Sequence, residues 1–307
     1  MSLSTTTDPS SSSSSSNFTR GLLDHLVEGT PDSFLVRDFL SPAEACSIQQ
    51  RLEAEDSPLG ALRNRSRVLA QSGCFQGEVR HAGTPDEAWP WLRCPSIDGQ
   101  RVQRWSPCLL PLREKIAREF GCDGLNIVKL LGYSGPQIPM KPHADKIVDL
   151  KEGVPIFDYR LGATRTLVLK RKPLDAQGAP LEASATRRDL IELQIPHNTL
   201  LVIGWRTNLE WKHGIRADPE GDVAAGASYA LIFRESVTYK HAATGRLFGP
   251  RTPYARAADL PAQPMAADPE AIADAELVRL FGVENSRPVT LELYRDYCNS
   301  RLPINSP

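Results

Sequence analysis

Residues 140–146 read Met-Lys-Pro-His-Ala-Asp-Lys. The stretch holds one of only six histidines in the chain, His143, with a carboxylate, Asp145, two positions on. Alternate residues of a strand point to one face, so a strand starting here would aim both side chains at a single ion. A third ligand must come from elsewhere. His213 lies after the apolar run 199–205 and before the run 228–234, which suits a ligand on a neighbouring strand. Two imidazoles and one carboxylate on one face of an iron leave three positions open, the ligand set of non-haem Fe(II) oxygen chemistry. His197, in Pro-His-Asn-Thr, reads as a turn residue. An isolated His-x-Asp also occurs in solvated turns, so the set needs a scaffold that presents it.

The flanking elements offer one. Five short β-rich runs, at 124–134, 164–172, 189–195, 199–205 and 228–237, are separated by turns containing Gly, Pro, Asn or Asp. That texture belongs to a sandwich or barrel. A short strand is expected at 34–40, followed by a helix. Ser41 is its N-cap, Pro42 its first residue and Glu44 completes a capping box. A second helix is expected over 107–120, stopped by Gly121. The segment 73–107, with Trp89, Trp91 and Trp105, is rich in Gly and Pro and reads as irregular. Loops are expected after residue 240, then two helices, within 268–286 and 289–302.

Composition sets bounds. With 41% hydrophobic and 24% charged residues, the chain is globular in type. A net charge of −1 gives no basic excess of the kind that grips nucleic-acid phosphates. The six cysteines, Cys46, Cys74, Cys94, Cys108, Cys122 and Cys298, form no CxxC pair, so neither a structural zinc site nor a disulfide framework is expected. No apolar run approaches the roughly 18 residues that cross a bilayer. The Ser-rich start has no apolar core of a secretory signal, and a cytoplasmic location is the expectation.

The order of motifs resembles the AlkB-like branch of the Fe(II)/2-oxoglutarate-dependent oxygenases. That family has N-x-x-x-x-N-x-Y ahead of its metal motif, and here NIVKLLGY, Asn126 to Tyr133, precedes His143. Its turn and strand before the distal ligand look like HNTLLVIGW. Its HGI stands intact at His213, Gly214 and Ile215, and its closing strand looks like LIFR, ending at Arg234. The resemblance covers residues 34–238. It implies an α+β, mainly β, fold: a double-stranded β-helix (jelly-roll) core with helices packed outside. With the Ser-rich start read from its composition as a disordered tail at 1–18, three further regions are expected: an N-terminal helical and substrate-lid region at 19–120, a double-stranded β-helix catalytic core at 121–240, and C-terminal loops and helices at 241–307. The resemblance also implies Fe(II) held by His143, Asp145 and His213, and 2-oxoglutarate decarboxylated to succinate and CO2 while O2 oxidises the substrate.

The chain departs from this family at the co-substrate. The closing strand R-x-N-x-T-x-R retains only its last arginine, reading Ser228, Ala230, Ile232 and Arg234, and Leu131 stands where an Asn is usual. A buried dicarboxylate needs a cationic partner. Arg234 is the expected anchor, with Tyr133 beside it. Arg165, Lys129 and Arg216 are possible replacements for the lost charge. The expected substrate is a small metabolite, amino-acid-like or a secondary-metabolite intermediate, undergoing hydroxylation, desaturation or oxidative cyclisation. The first alternative is a methylated base in nucleic acid, stacked on the tryptophans and approached by Arg80 and His81. The second is a non-catalytic jelly-roll binding module.

Overall fold

The computed structural model describes residues 26–54, 56–57, 71–93, 102–182, 189–217, 226–263 and 275–299. The Ser-rich tail expected at 1–18 lies outside them. The strands are β1 (Phe34–Arg37), β2 (Gln71–Gly77), β3 (Ala88–Trp91), β4 (Val102–Arg104), β5 (Ile127–Tyr133), β6 (Met140–His143), β7 (Ile156–Gly162), β8 (Arg165–Arg171), β9 (Leu190–Ile195), β10 (Thr199–Ile203), β11 (Trp211–Ile215), β12 (Ser228–Arg234), β13 (Thr238–His241) and β14 (Leu247–Phe248). The α-helices are α1 (Pro42–Glu53), α2 (Leu110–Phe120), α3 (Trp205–Glu210), α4 (Ala275–Ser286) and α5 (Arg295–Asn299).

Two sheets carry the site. The larger runs β1-β10-β7-β12-β5-β2-β4 and the smaller β6-β11-β8-β9; a third, β14-β13-β3, lies apart from them in pairing. Apart from the parallel β2–β4 contact, the neighbouring strands of the two main sheets are antiparallel. Apolar residues from both sheets meet in one core: Leu167, Leu169, Ile195 and Ile215 of the smaller against Leu131, Ile156, Leu201, Ala230 and Ile232 of the larger. This is the jelly-roll arrangement, with each sheet burying an apolar face.

The opposite face of the larger sheet is covered by helices. Tyr229, Leu231 and Phe233 of β12 pack with Ala45, Ile48 and Leu52 of α1 and Leu112 and Ile116 of α2. Period-two alternation on β12 therefore separates a helix-facing set from an inner set of Ser228, Ala230, Ile232 and Arg234. α1 begins as its sequence dictates: Glu44 N donates to Ser41 Oγ, and Ser41 N donates to Glu44 Oε2. α2 ends at Gly121, whose φ of +64° is the left-handed turn that glycine adopts without strain.

Two features depart from the sequence expectation. The segment 73–107 is not wholly irregular, because β2 joins the larger sheet beside β5 and β3 pairs with β13. β7 was absent from the expected runs, yet it sits between β10 and β12. Its inward residues include Asp158 and Arg160, which break the apolar signature of a strand covered on both faces.

Candidate metal centre and co-substrate pocket

β6 ends at His143, so the metal motif closes a strand instead of opening one as expected, and Asp145 lies just beyond it. β11 brings the third residue: His213 is the direct register partner of His143. The pairing slips by one residue between His213 and Ile215, and Pro142 falls in the slip, on an edge strand where its missing N–H is tolerated. Gly214 makes the approach possible. A Cβ there would stand 2.6 Å from Met140 O and 2.9 Å from Pro142 N. The glycine of HGI thus lets the two histidine-bearing strands close on each other.

One nitrogen or oxygen atom from each of His143, Asp145 and His213 lies within 4.8 Å of the others. His143 Nε2 and His213 Nε2 are 4.0 and 3.9 Å from Asp145 Oδ1. His143 Nδ1 is 2.9 Å from Lys141 O, which only accepts, so Nδ1 carries the proton and Nε2 offers its lone pair. Burial, reinforced by the neighbouring His143, pulls the His213 imidazole down to about 3, and Asp145 only partly opposes it. His143 is lowered as well, again mainly by burial. Burial pushes the Asp145 carboxyl up, but Arg234 and the two histidines outweigh it and hold the group well below the usual carboxylate range. Two neutral imidazoles and an ionised carboxylate are the donor set that Fe(II) takes.

Asp145 is fixed from two sides. Arg234 Nε and Nη2 meet its Oδ2 at 2.6 and 2.5 Å, leaving Oδ1 towards the histidines. Asn208 on α3 clamps the backbone: Asp145 N donates to Asn208 Oδ1 and Asn208 Nδ2 donates to Asp145 O, both at 2.9 Å. The next turn is tied down by Arg251, which donates to Val148 O and Leu150 O, and by the buried Arg93–Asp149 pair.

The three residues open into a cavity of about 590 Å³, whose wall also includes Phe75, Leu131, Ile203 and Ile232, with Lys129, Asp158, Arg160 and Arg234 as charged members. α4 supplies Val278, Phe281, Gly282 and Asn285 to the same wall. The helix is bonded to the metal turn: Ala144 N and Lys146 Nζ both donate to Asn285 Oδ1, and Ile147 N donates to the fully buried Glu284.

The other expected site residues fall as follows. Arg234 lines the cavity, with its fork turned onto Asp145. Tyr133 is buried, and its hydroxyl is 3.8 Å from Met140 Sδ. Arg165 is outside the cavity wall. Its guanidinium lies over the Tyr133 ring and donates to the carbonyls of Gly135, Pro136 and Ile138, tying down the β5–β6 connection. His197 stays in its turn, where its Nδ1 accepts from Gly162 N. Trp105 stacks on Phe233 at 5.9 Å, while Arg104 and Lys240 lie over Trp89 and Trp91. Sequence reading missed Asn208, Asn285 and Arg160. The two asparagines sit on helices with no local signal. Arg160 carried one: an arginine alternating with apolar residues inside a strand.

The fold and this donor set define a jelly-roll protein with a candidate metal centre. Residues 33–247 match the family model described as the 2OG-Fe(II) oxygenase superfamily, and the chain belongs to that family. A relative, the DNA oxidative demethylase ALKBH2 of Bos taurus, is 29% identical over 111 residues, 36% of this chain and 38% of that protein. The chain thus matches well under half the length of this curated relative. A solved structure titled "The structure of OsALKBH1" superimposes with a TM-score of 0.42 at 13% identity, covering 67% of this chain and 98% of that one. Among the described residues, no helix is long and apolar enough to cross a membrane.

Proposed function

We propose that His143, Asp145 and His213 hold Fe(II), and that the enzyme oxidises a small organic molecule in the cavity beneath α4, with 2-oxoglutarate and O2 as co-substrates. The bound iron supplies the oxidising chemistry. The chain's part is to hold and orient. Lys141 O and Arg234 aim the ligand atoms, Asn208 fixes the turn that follows β6, and Phe75, Leu131, Ile203 and Ile232 keep the pocket apolar so that water is displaced when substrate binds.

One observation carries the small-substrate reading. α4 lies beyond the family match, forms part of the cavity wall and is hydrogen-bonded to the metal turn through Asn285 and Glu284. A polymer backbone lying across the metal would have to compete with this helix. The second reading, oxidative demethylation of a methylated base, is favoured by the similarity to the Bos taurus DNA oxidative demethylase. The deciding experiment supplies iron-loaded protein with 2-oxoglutarate and measures succinate. One arm is a panel of amino acids and other small metabolites, the other a set of methylated single- and double-stranded oligonucleotides. Succinate coupled to oxidation of a metabolite is expected; succinate coupled to loss of a base methyl group overturns the small-substrate reading.

A further inference from the structure

If the reading above holds, 2-oxoglutarate places its keto-acid end at the metal and a second carboxylate deeper in the cavity. That far carboxylate needs a cation, and the position where the family resemblance implies one is Ser228. Ser228 is not among the residues of the cavity wall, and five positions of that wall are cationic. Arg234 is engaged by Asp145, Arg93 by Asp149, and Lys146 by Asn285, while Lys129 lies 5.5 Å from the Phe75 ring centroid. The fifth is Arg160.

Arg160 is 6% exposed; its Nη2 donates to Asp158 at 2.5 Å and the Tyr133 hydroxyl is hydrogen-bonded to the guanidinium, while Nε and Nη1 are buried without a close partner. Buried guanidinium donors are rarely left open, and Arg160 is a residue of the cavity wall. The strand register puts Arg160 directly opposite Ala230 on β12 and Thr199 on β10, with Ser228 one inward position along. Ser228 and Ala230 are small residues beside Arg160 on β12. Thr199 Oγ1, on the same face, is buried without a partner. The Tyr133 hydroxyl stands beside the guanidinium. A cation fork and two hydroxyls therefore lie close together, a set of donors that suits a carboxylate. Asp158 keeps Arg160 from being an uncompensated buried charge before the ligand arrives.

We propose that Arg160, with the hydroxyls of Tyr133 and Thr199, anchors the far carboxylate of 2-oxoglutarate, so that the anchoring charge comes from β7 and not from β12.

The test is an oxygen-free titration of the full, iron-loaded chain, followed by the visible charge-transfer absorption of the Fe(II)–2-oxo acid complex. The two titrants are 2-oxoglutarate and 2-oxopentanoate, which has the same keto-acid end and no far carboxylate. Arg160→Gln is expected to weaken 2-oxoglutarate at least about tenfold while leaving 2-oxopentanoate and iron content as in the wild type. Adding Ser228→Arg to Arg160→Gln is expected to restore part of the preference. An unchanged ratio between the two acids in Arg160→Gln overturns the anchor. If Arg160→Gln does not fold, Arg160→Lys replaces it: a lowered ratio supports the anchor and an unchanged one overturns it. A wild-type protein that binds iron at other residues, or gives no absorption with either acid, refutes the functional reading instead.

Discussion

Around Asp145 the charged atoms are engaged: Arg234 holds one carboxylate oxygen, the other faces two imidazoles, and Asn208 takes both backbone groups. Around Arg160, in the same cavity, the pattern reverses. Arg160 Nε and Nη1, Asp158 Oδ1 and Thr199 Oγ1 are all buried without partners. The first region is finished within the chain apart from the metal. The second is finished only when something polar enters. Preorganisation at the metal end fixes ligand geometry before iron arrives, whereas open donors at the other end give a co-substrate something to bind. Arg165 sharpens the contrast, since it too is a buried arginine of the jelly roll, but both of its Nη groups already hold loop carbonyls.

The comparison can be broken most severely at its finished end. His213→Ala is expected to abolish both iron binding, measured as metal content after chelation and reloading, and succinate formation. Retained metal would move the distal ligand elsewhere. Asn208→Ala removes the clamp but no ligand, and is expected to lower metal affinity or activity by about 10–100-fold. An unchanged iron affinity would show that Arg234 alone suffices to place Asp145. Arg165→Met should act on stability and not on ligand. It leaves carbonyls unpartnered and is expected to cost about 1–3 kcal/mol in denaturant unfolding, with the 2-oxoglutarate titration unmoved. A shift in that titration would give Arg165 the part assigned to Arg160. Asn285→Ala frees the metal turn from α4 and is expected to cost about 1 kcal/mol, with a larger change in KM for substrate than for 2-oxoglutarate. His197→Ala, at an exposed turn, should stay within about 0.5 kcal/mol in unfolding and leave iron content unchanged.

Much of this was legible without coordinates. Ser41, Pro42 and Glu44 announce α1 because capping is a local matter of donors and acceptors three residues apart. The alternation in 228–234 separates a helix-facing from an inner face, because side-chain direction in a strand depends only on position parity. The closeness of His143 and His213 was anticipated from type and order. The cause given for the His143–Asp145 pairing was not right: the strand ends at His143 and Asp145 lies just beyond it, while a slipped register with a glycine opposite brings His213 to His143.

What stayed hidden depends on pairing at a distance. β7 was absent from the expected runs: Asp158 and Arg160 alternate with Phe157, Tyr159 and Leu161, so the segment lacks the continuous apolar run of a strand buried on both faces. Only its insertion between β10 and β12 buries both sides and turns the polar face into the wall of a pocket. Arg165 looked equally able to hold a carboxylate, since sequence records that an arginine is present and not which acceptors reach it first. Asn208 and Asn285 likewise gain their roles from where α3 and α4 come to rest. The sequence by itself determined the donor chemistry of the metal centre and the periodicity of most strands, because both are properties of residue type and spacing. The tertiary structure decided which buried charges are satisfied and which remain open to a ligand, because that depends on long-range register and on the neighbours each guanidinium meets.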